Sequence, residues 1–115
     1  MTIKETIENA VSQFGPVAFE LYRGNEETYF VYNYEDERGK NFADDKAEYT
    51  RYYLQVHYYT PKRLYTEDVK KSIKRELIKI GSITKTMTTE ETETNLIHVS
   101  ISIEIDVAEE EENGI

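Results

Sequence analysis

Residues 97–107, IHVSISIEIDV, set Ile97, Val99, Ile101, Ile103, Ile105 and Val107 against His98, Ser100, Ser102, Glu104 and Asp106. A side-chain period of two sustained over that length belongs to a β-strand with one face on a core and the other toward water. The strand therefore belongs at the centre of a one-sided sheet. At roughly 3.3 Å per residue it outruns most strands, so it is expected to bend or to project beyond its neighbours.

Upstream of it, Ser82 to Thr88 reads as a strand and Thr89 to Thr94 as a polar connection. Before these, Val69, Ile73, Leu77 and Ile80 step by four, four and three along a helix whose other faces carry Lys70, Lys71, Lys74, Arg75 and Lys79. Thr66 supplies its N-cap, Glu67 and Asp68 place negative charge at the positive end of the dipole, and Gly81 sits where a left-handed C′ residue belongs. From Ala47 to Thr60, Tyr52, Leu54, Val56 and Tyr58 alternate with Tyr53, Gln55, His57 and Tyr59, and Pro61, which has no N–H to donate, closes the strand.

The N-terminal third is less periodic. Ile3, Ile7, Ala10, Val11 and Phe14 share a helical face, Thr2 and Glu5 form a capping box, and Gly15-Pro16 ends the helix. Val17 to Tyr22 and Tyr29 to Tyr34 read as the two arms of a hairpin turning at Arg23-Gly24-Asn25. Glu35 to Lys46, EDERGKNFADDK, is charged and aperiodic and reads as a long exposed loop with Phe42 as its one large apolar residue. The order α-β-β-β-α-β-β predicts a two-layer α+β domain over residues 1–107, with a largely antiparallel sheet of about five strands and both helices on one face. Residues 108–115, AEEEENGI, read as an acidic, disordered tail.

Composition narrows the chemistry. The chain has 115 residues and a formal net charge of −9, which disfavours direct contact with nucleic acid. It has no cysteine, so disulfides, thiol nucleophiles and thiolate metal sites are out of reach. No apolar run reaches a membrane span, and MTIKETIENA carries charges where a signal peptide is apolar, so a cytosolic product is expected. His57 and His98 fall on polar strand positions outside any ligand motif and read as surface residues; they come close only if their strands are neighbours, and a metal would need a third ligand. Asp44-Asp45 and Glu35-Asp36-Glu37 lack cation-loop spacing and read as solvated. Phosphate loops and hydrolase signatures are missing, and no enzyme, cofactor or metal is expected. Two features stay unabsorbed. Ten tyrosines stand against no tryptophan, and residues 61–85 carry eight basic and three acidic side chains, +5, which leaves −14 for the rest.

Taken together, the opening helix IKETIENAVSQF, the strand YFVYNY, the acidic loop, RYYLQVHYYTPK, the helix EDVKKSIKRELIKIG and the strand IHVSISIEI resemble the tail-terminator and tail-to-head joining proteins of long-tailed phages and prophages. The resemblance covers most of the chain and weighs most on Tyr52 to Pro61. It implies a subunit of a hexameric ring that caps the tail tube, built in the bacterial cytoplasm and carried in the virion tail, with copies of itself and other tail or connector proteins as partners. No contact motif of that family maps onto individual residues here. The residues themselves nominate Tyr53, Tyr59 and Phe42 as interface aromatics and Lys70, Lys71, Lys74 and Arg75 as a basic face that meets an acidic neighbour. The competing expectation is a small acidic inhibitor that mimics DNA, against which the basic helix stands.

Overall fold

The computed structural model describes residues 1–40, 42 and 48–108. In chain order these form α1 (Ile3–Val11), β1 (Val17–Phe19), β2 (Tyr29–Lys40), β3 (Tyr49–Pro61), a 3-10 turn (Lys62–Leu64), α2 (Glu67–Leu77), β4 (Ser82–Glu91) and β5 (Leu96–Ala108). The sheet order is β1-β2-β3-β5-β4, antiparallel except for β1 beside β2. The fold is α+β, as the hydropathy pattern predicts. Among the described residues no helix is long and apolar enough to cross a membrane.

Both helices begin as their sequences require. Thr2 Oγ1 accepts from Glu5 N at 3.0 Å while the Glu5 carboxylate accepts from Thr2 N at 3.2 Å, and Thr66 Oγ1 accepts from Val69 N at 3.1 Å, so at each helix start a side chain engages an N–H group that no helical carbonyl reaches. Ile3, Ile7 and Val11 of α1 and Ile73 and Leu77 of α2 are buried in one cluster with Phe30, Tyr32, Leu54, Val56, Tyr58 and the odd-numbered Ile97 to Val107. These strand residues all lie on one side of the sheet, so both helices cover the same face. Each fully buried Ile or Leu contributes about 1.5–3 kcal/mol relative to exposure.

Four expectations need correction. Val17–Phe19 pairs with β2 in parallel, with Val17 opposite Phe30, so β1 and β2 are not a hairpin. After Phe19 the chain turns off the strand: Glu20 takes a left-handed φ of 61° and Leu21 N donates to Phe19 O at 2.7 Å. A strand of only three residues lets the segment 20–28 loop back and re-enter at the same end, where Phe30 N reaches Pro16 O at 2.8 Å.

The stretch from Glu35 to Lys40 is strand, not loop, and pairs with β3 down to Lys40 opposite Tyr49. A bulge at Glu35, between the pairs Tyr34–Leu54 and Asp36–Tyr53, shifts the alternation, and residues 35–38 are exposed, so no apolar period marks the ladder. Of the expected loop, residues 41 and 43–46 lie outside the described residues, as do residue 47, where the next strand is expected to begin, and the acidic tail from 109 onward; Ala108 is the last residue of β5.

Gly81 has no positive φ, and α2 ends instead at Leu77 with Ile78 in right-handed geometry. Its reason is proximity: a Cβ there would stand 2.3 Å from the carbonyl oxygen of Glu104. Glycine is what lets the turn after α2 lie against β5.

The connection expected from Thr89 shrinks to residues 92–95, because β4 continues to Glu91. Within the last hairpin, β5 pairs with β3 along its whole length and with β4 only from Leu96 to Glu104. It therefore projects past β4 and not past β3. The ends of β2, β3 and β5 together make an arm in which Arg51 lies between Arg38 and Asp106.

Candidate interface on the helix-free sheet face

The side of the sheet away from the helices carries the tyrosine and histidine positions. Tyr29, Tyr59 and His98 are successive partners across β2, β3 and β5, which puts their rings in one row. Tyr22, from the loop after β1, extends it. Centroids are 4.5 Å apart for Tyr22–Tyr29, 5.1 Å for Tyr29–Tyr59 and 4.4 Å for Tyr59–His98, all stacked within 25° of parallel. Such pairs stabilise by roughly 0.5–1.5 kcal/mol each beyond their buried area. Burial raises the phenol pKa of Tyr29 and Tyr59, and the nearby Glu91 carboxylate adds to it, so both stay neutral hydrogen-bonding groups.

Two residues back along β3, at His57, the two histidines meet. His57 Nδ1 is 2.8 Å from His98 Nε2, and His57 Nε2 is 2.8 Å from Asn33 Oδ1. With the amide oxygen of Asn33 as acceptor, the proton must sit on His57 Nε2, which leaves Nδ1 to accept from His98 Nε2–H. Burial lowers both histidine pKa values from 6.5; His98 lowers that of His57 further, while Glu91 works in the opposite direction on His98. The pair is thus neutral at pH 7 and held in one tautomeric arrangement. The expected surface histidines are half-buried members of a network, and Asn33 completes it by hydrogen bonding. Among the described residues no group of three His, Cys, Asp or Glu side chains is disposed to hold a metal ion.

Farther along the same face, Arg51 Nε is 2.8 Å from Asp106 Oδ1 and its Nη2 3.2 Å from Oδ2, a two-point pair between β3 and β5. These hydrogen bonds raise the guanidinium pKa further. Tyr53 is half-buried with the Arg38 guanidinium 5.4 Å from its ring centre, and the Asp36 carboxylate, bonded to Arg38 Nε at 2.8 Å, has its pKa lowered by that contact. Tyr53 and Tyr59 are therefore both on the helix-free face and both part-exposed, but Tyr59 is stacked on two sides whereas Tyr53 meets the Arg38 guanidinium.

The remaining candidates lie elsewhere. Phe42 is 68% exposed, two residues past the end of β2. On α2, Lys70 is half-buried and bound to Glu67 at 3.1 Å and to Thr88 at 3.3 Å, which raises its pKa and lowers that of Glu67. Lys71, Lys74 and Arg75 form no ion pair among the described residues. The basic face is thus three residues rather than four. Sequence reasoning passed over Tyr22, Tyr29 and Asn33. Setting Tyr29 opposite Tyr59 in an antiparallel β2–β3 register would have brought out two of them.

No protein-family model matches the chain, and no curated protein matches it.

Proposed function

We propose that the chain is a structural, protein-binding subunit that self-associates, and that it serves as a ring-forming component of a phage or prophage tail, at the tail terminus or head-tail joint. The observation that carries self-association is the helix-free sheet face: it bears a row of four stacked rings with a hydrogen-bonded polar network beside it, and among the described residues no second layer covers it. Aromatic area with polar tips is the composition that protein interfaces favour. Lys71, Lys74 and Arg75 of α2, without an ion pair among the described residues, lie on the opposite layer from that face, so the two sides of one subunit differ in chemistry, as a head-to-tail contact requires. The tail itself, with assembly in the host cytoplasm, rests on the resemblance of the sequence to tail-terminator proteins alone.

Sedimentation over a concentration series, with electron microscopy of the largest species, tests this reading. Rings or short stacks are expected. A chain that stays monomeric at every concentration, and instead blocks a DNA-binding protein, would replace it with the acidic-mimic reading.

A further inference from the structure

The two ends of the sheet differ in a complementary way. At one end the last β3–β5 pair is Tyr49–Ala108, and Phe42 stands just past Lys40, the β2 partner of Tyr49. At the other end the last pair is Pro61–Leu96, and there a cleft opens between the 3-10 turn and the β4–β5 turn. Pro61 and Leu96 give it apolar surface, and Lys62, Arg63, Glu27 and Thr94 form its rim. The long stems of Lys62 and Arg63 add methylene groups to that surface. β3 has thirteen residues. At about 3.3 Å per residue, roughly 40 Å separates knob from cleft.

We propose that Phe42 of one copy inserts into the cleft between Pro61 and Leu96 of the next. The inference rests on the self-association reading above and names its contact. An apolar knob and an apolar cleft on different parts of one molecule make a heterologous contact, which propagates into a ring or a filament. The strand length between them keeps a chain from filling its own cleft, so a second copy is the occupant. The rim of the cleft carries Lys62 and Arg63. These cations are now held by Glu90 and Glu27, each at 2.6 Å, and exposed ion pairs of this kind exchange partners at little cost.

The test is a complementation between two blocked copies. Phe42→Ser removes the knob and leaves the cleft; Thr94→Trp, at an exposed rim position, fills the cleft and leaves the knob. Each variant alone is expected to lose the large assemblies of wild type while keeping its melting temperature, and an equal mixture is expected to form pairs and stop there. In parallel, p-benzoyl-phenylalanine at position 42 of the full chain, with one copy isotopically labelled, should cross-link to residues 61–63 or 94–96 of the other. If Phe42→Ser assembles like wild type, or if the cross-links map elsewhere, this contact is wrong and self-association stands. If wild type neither assembles nor cross-links between copies, both readings fall.

Discussion

His57 Nδ1 and His98 Nε2 stand 2.8 Å apart, so one proton serves two rings. The first added proton goes to His98 Nδ1, which keeps the N–H···N bond and gains from Glu91; a second, on His57 Nδ1, would set two imidazolium N–H groups against each other. Tyr59 and Tyr29 stack beside the pair and stay neutral, and Asn33 cannot titrate. Because both pKa values are lowered in the folded chain, the unfolded chain takes up more protons as pH falls below about 6.5. Stability is therefore full above 6.5 and declines below it, until the folded histidines also protonate. Melting temperature from pH 8 to about pH 5 should show that fall. His57→Gln together with His98→Gln should flatten it in the window just below 6.5, and an unchanged slope would assign the dependence to carboxylates.

The two candidate interface tyrosines, Tyr53 and Tyr59, should part company on substitution. Tyr59→Ser removes the stacking with Tyr29, His98 and, more distantly, His57, and is expected to cost about 1–2 kcal/mol of stability. Tyr53→Ser loses only the Arg38 contact and is expected to cost under about 1 kcal/mol while weakening self-association. Chemical denaturation beside sedimentation separates the effects. Equal stability losses would mean that Tyr53 is as structural as Tyr59.

Reversing Lys71 and Lys74 to Glu should weaken association and its response to salt, because exposed charges are screened over about 10 Å at 0.1 M. Stability should change by less than about 1 kcal/mol, since Ile73 and Leu77 keep their places. Lys70→Glu is the contrasting variant: it sets like charge against Glu67 and is expected to lower the melting temperature. Association that ignores both salt and reversal would remove α2 from the contact.

Gly81→Ala should destabilise by about 1–3 kcal/mol through overpacking, because the new Cβ meets backbone and not the end of a flexible side chain. Urea denaturation measures it. A neutral result would mean that the turn after α2 moves freely away from Glu104.

What the sequence made legible follows from where periodicity survives. β5 and β3 alternate without interruption through the centre of the sheet, and α2 carries cap, stripe and charge together, so each was readable alone. β2 lost its signal at Glu35, where one extra residue swaps the faces and the partner beyond is water. β1 was too short to state its direction, and only the left-handed Glu20 and the return of Phe30 to Pro16 settle it. The candidate site was half visible: alternation put Tyr53, Tyr59, His57 and His98 on one face, but the stacking row and the Asn33 link depend on the β2–β3 register, which no single strand encodes.

The placement of β5 also governs how the chain comes to be folded. The strand that is made last of the five lies between β3 and β4 and supplies the odd-numbered residues on which both helices rest. Until Ala108 has been synthesised, β3 presents a bare edge and the two helices have half a floor. A nascent chain at that stage exposes the surfaces on which aggregation starts, and the barrier to folding is dominated by pairings far apart in sequence. Folding of the described unit therefore waits on the synthesis of β5.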